Sequence, residues 1–468
     1  MAPNRERSWL ESFHAKMQNK NIHFVSLGCP KNLIDSEVMA SLLIKSGFGI
    51  TPSAEEADII IINTCAFILP AKEESIEEIL QMAEWKKDGK CRHLVVTGCL
   101  PQRYGTILKK EIPEIDLFLG TGEIPRIADF ISNLENGTFA ERQSFIGKPS
   151  FLMDSTYSRL LSTSGCSAYL KIAEGCSNCC SYCVIPSIRG KYRSREVDDI
   201  LKEAEMLVKA GIKEINITAQ DTTLYGSDLK GKPGLSLLLK EMASMDGIRW
   251  IRLLYAYPAY LTGEIFQTIA GEEKICNYID IPLQHIDDDI LTAMNRKGGS
   301  RLIRNTLNLA REVIPGVALR TSLIVGFPGE TPEKFDKLLD FVKWARFENL
   351  GVFEYSKEEG TAAADFPAHV PEKEKELRKN ILMEEQSRIS YDINQSRIGD
   401  LEEVLIEDES NRPDFPYIGR TRGQAWEIDG ITYVSADDAA VGDIITCKIT
   451  SADVYDLFAR QRDNEAEM

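Results

Sequence analysis

The chain has 468 residues, 11 of them cysteine, and carries a formal net charge of −17 at pH 7. Its length suggests about three domains at roughly 150 residues each. With no signal peptide and no transmembrane run in the sequence, the cysteines argue against a disulfide framework and a membrane span; they point to a cytoplasmic enzyme that uses its thiols for metal.

Residues 21–140 read as an open parallel α/β domain. His23-Phe-Val-Ser-Leu-Gly-Cys29 is a strand running into a glycine turn; Ala57 to Cys65 repeats the device, and His93-Leu-Val-Val-Thr-Gly-Cys99 repeats it again. Helices are expected over Ile34–Ser46 and Ala71–Lys86. The carboxyl ends of neighbouring strands in such a sheet converge on one crevice, where these folds bind ligands. Cys29, Cys65 and Cys99 are therefore expected to meet there and hold a three-ligated iron-sulfur cluster. Cys is also a common small buried residue, which suffices for Cys91, placed before its strand, but poorly explains three cysteines in one context. Residues 141–165, rich in Ser and Thr, look like a linker.

From Ala168 a second series of strands is expected: Ala168–Ala173, Glu214–Ala219, Trp250–Tyr257, Tyr278–Leu283, Ala318–Val325 and Gly351–Tyr355, with helical stretches between. Six βα repeats fit an incomplete (βα)6 barrel over residues 160–397. One helix is expected over Ser194–Ala210, with Ser194 as N-cap and Gly211 as stop. Catalytic groups of such barrels lie on the loops after the strands. After the first strand comes Glu-Gly-Cys-Ser-Asn-Cys-Cys-Ser-Tyr-Cys, in which Cys176, Cys180 and Cys183 form Cys-x3-Cys-x2-Cys. A structural zinc site would want four N/S ligands in two pairs, and a closed cluster four cysteines. Three thiolates leave one iron of a 4Fe–4S cubane open, which is the pattern of radical S-adenosylmethionine (SAM) enzymes. Cys179 would give the reversed spacing and is read as a bystander.

The other strand ends carry polar groups: Gln220 and Asp221, Tyr257 and Pro258, Gln284 and His285, then Gly326-Phe-Pro-Gly-Glu330, with Arg320 inside the fifth strand. Gln220, Gln284, Arg320 and Gly326 are candidates for holding SAM; turn geometry for the glycines and an ion pair for Arg320 are the plainer readings. A charged helical passage, 371–396, precedes residues 398–465. There Glu403–Ile406, Tyr417–Arg422, Ile431–Val434 and Asp443–Ile449 alternate like strands of a small antiparallel β-barrel. Residues 398–468 hold 17 Asp and Glu against 6 Lys and Arg, net −11, a surface that repels phosphate and attracts a basic protein.

Four runs bring these pieces together: Ser26–Glu37 (SLGCPKNLIDSE), Asn63–Ile68 (NTCAFI), Thr97–Tyr104 (TGCLPQRY) and Cys183–Arg195 (CVIPSIRGKYRSR). Over nearly its whole length the chain resembles the methylthiotransferases of the radical SAM superfamily. Tyr255-Ala-Tyr-Pro258 and Pro282-Leu-Gln-His-Ile286 are similar to the branch that modifies a ribosomal protein, not the branch that modifies tRNA adenosine. Cys179 departs from the family pattern and leaves its ligand positions intact. The resemblance implies a methylthiotransferase domain with one cluster on Cys29, Cys65 and Cys99; a radical-SAM core with another on Cys176, Cys180 and Cys183; and a C-terminal TRAM barrel. It further implies SAM as cofactor, a reductant such as flavodoxin, and methylthio transfer to the β-carbon of an aspartate of small-subunit ribosomal protein S-twelve. tRNA is not expected as a partner. A nonenzymatic electron carrier would want closed four-cysteine clusters, which the sequence lacks.

Overall fold

The computed structural model describes residues 20–163 and 165–462. They fall into two compact units: the chain to Ser162 with Glu174–Asn178 and Cys183–Arg193, and Thr163–Ala173, Cys179–Tyr182 and Ser194 onward.

The first unit is built on six parallel strands: β1 (Asn21–Ser26), β2 (Gly49–Ile50), β3 (Ile59–Thr64), β4 (His93–Gly98), β5 (Leu117–Leu119) and β6 (Gln143–Phe145), in the order β2-β1-β3-β4-β5-β6. β3 reads Ile-Ile-Ile-Ile-Asn-Thr and is buried throughout; an unbroken apolar run is what a parallel strand covered on both faces requires. Helices Pro30–Lys45 and Leu69–Asp88 each carry a proline in the first turn, where its missing N–H is harmless. One core cluster joins Ile60, Ile62, Val96, Leu100 and Phe118 with Val184 and Ile188.

The stretch expected to be a linker is fixed to this unit instead. It supplies β6, and beyond it Arg159 pairs with Glu37 at 2.6 Å, Ser162 bonds the same carboxylate through N at 2.8 Å, and Leu160 N reaches Glu37 O at 3.1 Å. Composition alone hid this, because the partner is a buried glutamate 122 residues upstream. Ser164 lies outside the described residues.

The second unit holds a six-stranded parallel sheet in consecutive order: β7 (Ser167–Lys171), β8 (Glu214–Thr218), β9 (Trp250–Leu253), β10 (Ile275–Asp280), β11 (Ala318–Val325) and β12 (Asn349–Glu354). β7 and β12 are its edges, as an incomplete barrel requires. The fourth strand begins three residues earlier than expected. Helix Val197–Lys209 is N-capped at Glu196 without a side-chain bond; Ser194, expected to cap it, accepts from Gly226 N at 2.9 Å through Oγ instead.

The chain ends in a closed five-stranded barrel of β13 (Leu401–Arg412), β14 (Phe415–Thr421), β15 (Thr432–Ser435), β16 (Ile444–Ala452) and β17 (Leu457–Gln461). All pairs are antiparallel except β15 with β17. β17 has no counterpart among the expected segments, being five residues long in a charged context. Residues 463–465 of the expected barrel lie outside the described residues.

Side chains of this small barrel enter the interior of the larger one. In-register neighbours of a parallel sheet share a face, so Ser167, Glu214 and Trp250 point the same way. Fully buried Arg420 from β14 meets the first two, donating to Glu214 Oε2 at 2.5 Å, Ser167 Oγ at 3.1 Å and Glu407 Oε1 at 2.5 Å, while Arg252 donates to Glu214 Oε1 at 2.8 Å. Asp429 accepts from Tyr278 at 2.7 Å, and Trp426 packs on Tyr169 with ring centroids 5.5 Å apart. Burial alone would raise the Glu214 carboxyl, but Arg420 and Arg252 hold it far below the usual carboxylate range.

Candidate functional site

β1, β3 and β4 are neighbours, and their last residues align: Ser26 with Asn63, Asn63 with Thr97, Thr64 with Gly98. Cys65 and Cys99 follow their strands directly, and Cys29 follows β1 after Leu27 and Gly28. The three cysteines expected to meet therefore stand at one sheet end. Gly28 has φ +90°, and a Cβ on it would lie 2.8 Å from Cys65 Cβ and 3.1 Å from Cys65 Sγ. The Cys65 side chain thus fills the space that a side chain at Gly28 would take.

Two asparagines brace the turns. Asn32 donates to Leu27 O at 3.0 Å and Thr64 O at 2.9 Å, and Asn63 donates to Asn32 O at 2.8 Å and Ser36 Oγ at 2.9 Å. Cys65 N approaches Ser75 Oγ at 3.1 Å. Burial pushes the Cys65 thiol up to about 12, with Cys99 and Cys29 adding to the rise; burial raises Cys99 as well, against the pull of Arg189. Iron would have to displace these protons, so loading should be favoured by higher pH.

Arg189 was not singled out from sequence. Its guanidinium is buried, pairs with Asp35 at 2.6 Å, stands 3.6 Å from Glu174, and donates to Asn32 Oδ1 and, at 3.5 Å, to Cys99 Sγ. The signal was an Arg-Gly pair six residues after Cys183, inside a run already noted.

Among the described residues, no three His, Cys, Asp or Glu side chains close around a single metal ion. Three thiols beside glycine turns form a soft donor set suited to iron-sulfur chemistry, whose sulfur ligands serve separate irons. Gly98, with φ +95°, tests the fit. A Cβ there would strike Asn63 Oδ1 and lie 2.8 Å from Thr64 O. Gly98→Ala should cost about 1–3 kcal/mol of stability and lower iron content, checked by denaturant unfolding and iron analysis.

Cys176 and Cys183 belong to the first unit and Cys179 and Cys180 to the second. Cys176 N donates to Gly190 O at 3.0 Å. In the second unit, Arg296 Nη1 lies 3.9 Å from Cys180 Sγ, and its guanidinium covers the Tyr257 ring at 4.1 Å. Cys179, the expected bystander, is exposed, and its carbonyl accepts from Asn295 at 2.7 Å.

The barrel strand ends hold most of the other candidates. Gln284 sits in the left-handed region at φ +76°, as does Tyr255 at φ +59°, a strained backbone of the kind that collects at functional sites. Gly326, φ +72°, donates to Glu330 Oε2 at 2.9 Å, and the Lys375 stem occupies the space of a Cβ. Glu330 also faces buried His285 at 3.4 Å and Arg378 at 2.7 Å. Gln220 follows β8, and its neighbour Asp221 caps the next turn through Thr223 N at 3.0 Å. Arg320 lies apart: third in an eight-residue strand, it pairs with Asp280 at 2.9 Å and Asp429 at 3.5 Å.

Three family models match the chain: an uncharacterised protein family, UPF0004, over residues 21–120, the radical SAM superfamily over 170–342, and the TRAM domain over 398–461. The ribosomal protein uS12 methylthiotransferase RimO of Syntrophus aciditrophicus is 59% identical over 446 residues, covering 95% of this chain and 98% of that protein. RimO of Geobacter sulfurreducens is 52% identical, covering 94% and 98%. Among solved structures, the radical SAM methyltransferase TsrM of Kitasatospora setae aligns with a TM-score of 0.53 at 16% identity, over 71% of this chain and 73% of that one. The cobalamin-dependent SAM radical enzyme OxsB aligns at 0.52 and 13%, over 81% and 57%. These two likenesses concern the fold.

Proposed function

The chain belongs to the RimO family of ribosomal protein uS12 methylthiotransferases, and on that premise we propose how its residues divide the work. It is a radical SAM enzyme that acts on ribosomal protein uS12 and uses SAM with two 4Fe–4S clusters. Cys29, Cys65 and Cys99 hold one cluster, and Cys176, Cys180 and Cys183 the other. When bound, the second supplies a 5'-deoxyadenosyl radical from SAM and the first carries the sulfur to be transferred.

The target is the β-carbon of an aspartate. Its C–H bond is unactivated and gives a general base nothing to remove, so radical chemistry is what the substrate demands. Gln220, Gln284 and Gly326 contact SAM from the strand ends, with left-handed backbone at Gln284 and at Gly326 setting the turns that present them. Arg320 is assigned to packing rather than to SAM. It sits toward the amino end of its strand, away from the catalytic face, with its charge taken up by Asp280 and Asp429.

The acidic C-terminal barrel favours a basic protein substrate over tRNA. Flavodoxin or a similar cytoplasmic protein is the electron donor. Among the described residues no helix is long and apolar enough to cross a membrane.

The observation that carries this reading is the alignment of Cys29, Cys65 and Cys99 at the ends of three neighbouring strands. Coexpression with ribosomal protein uS12 followed by mass spectrometry should show one added methylthio group on an aspartate. Unmodified uS12 together with methylthiolated adenosine in tRNA would overturn the reading in favour of the tRNA-modifying branch.

A further inference from the structure

Arg189 is buried in the wall of the first cysteine pocket with both ends of its guanidinium engaged. Asp35 clamps Nη1 at 2.6 Å, and this turns Nη2 toward Asn32 Oδ1 and toward Cys99 Sγ at 3.5 Å. An ion pair alone would need only Asp35. The contact to sulfur is additional, and it brings a permanent cation to a pocket where three thiolates gather. The Cys99 thiol also approaches Asn32 Oδ1 at 3.7 Å, so guanidinium, amide and sulfur form one linked set.

We infer that Arg189 is a positioning residue for the cluster on Cys29, Cys65 and Cys99: held by Asp35 and Asn32, it donates to the Cys99 sulfur and offsets part of the negative charge that the thiolates bring into a buried site. The inference rests on those three cysteines being ligands. Net charge and hydrogen bonds to sulfur are among the factors that set cluster potentials. A cation and an N–H donor both stabilise the electron-rich form, so Arg189 raises the potential of this cluster.

The test uses the full chain with Cys176→Ala, Cys180→Ala and Cys183→Ala, reconstituted anaerobically so that one cluster remains, and titrates its one-electron reduction against mediators by electron paramagnetic resonance. Arg189→Gln should weaken the reduction equilibrium about tenfold or more, a fall of ~59 mV. Arg189→Lys, which keeps the charge and loses the planar fork, should fall by less. Cluster loss in Arg189→Gln with retention in Arg189→Lys supports the same role, since charge then decides. An unchanged potential in Arg189→Gln with full iron content overturns the inference. So does loss of iron or of fold in both variants, which would leave Arg189 a packing strut. Failure of the parent to hold any cluster would overturn the ligand assignment itself, and the inference with it, before Arg189 is touched.

Discussion

A chain in which Cys29, Cys65 and Cys99 are all alanine should leave ribosomal protein uS12 wholly unmodified while still releasing 5'-deoxyadenosine from SAM under dithionite at an undiminished rate. The two outcomes separate because the cysteines belong to different elements: one set ends three strands of the first sheet, the other lies on the loop that precedes helix Ile185–Arg189. Iron should fall by half. Alanine is tolerated sterically at all three positions, since it removes a sulfur and adds nothing beside Gly28 or Gly98. Quantifying deoxyadenosine by chromatography and the methylthio product by mass spectrometry checks both arms. If deoxyadenosine release stops while the remaining cluster is intact, the two sites do not work independently.

Arg420→Leu should destabilise the second unit by about 3–5 kcal/mol, the usual consequence of removing one partner from a buried ion pair, against a typical total of about 5–15 kcal/mol. Glu214 would retain Arg252 but lose Arg420, and the Glu407 carboxylate, 2.5 Å from Arg420, would lose the same partner. Acid should have a graded effect on the parent. A carboxyl held below its unfolded value contributes fully above that value, about 4.3 for glutamate, and its contribution drains away as pH falls below it. The parent's melting temperature should therefore drop as pH is lowered from about 5 to 3, and the Arg420→Leu variant should start lower and fall less steeply. Calorimetry across that range is the measurement. Equal melting temperatures at neutral pH would show that the Arg420 network is not a stabilising element.

Much of the architecture was legible because it rests on local pattern. The buried isoleucine run of β3 and the glycine turns at Gly28 and Gly98 announce a parallel sheet and the cysteines at the carboxyl ends of its strands. The helices expected over Ile34–Ser46 and Ala71–Lys86 appear as Pro30–Lys45 and Leu69–Asp88, longer because the prolines open them. The misses are long-range. Ser194 has the chemistry of a cap but is used by Gly226; Arg159 and Ser162 read as linker residues until Glu37 is seen beneath them; Arg320 has the ion pair that was its plainer reading, but one of its partners, Asp429, lies 109 positions downstream. Arg189 escaped for the same reason. Its partners Asp35 and Asn32 lie 154 and 157 residues away, and no periodicity records such a pairing.

The plug of Arg420, Trp426 and Asp429 in the larger barrel also sets an order of events during translation. Glu214 meets Arg252 after 38 more residues are made, but Arg420 arrives 206 residues after Glu214. At roughly 5–20 residues per second, the central strands wait on the order of 10–30 s on the ribosome with Glu214 held by Arg252 alone. A nascent chain released before Arg420 is made would leave that carboxylate without its second partner permanently, so premature termination upstream of residue 420 should yield a substrate for proteolysis rather than a shortened enzyme.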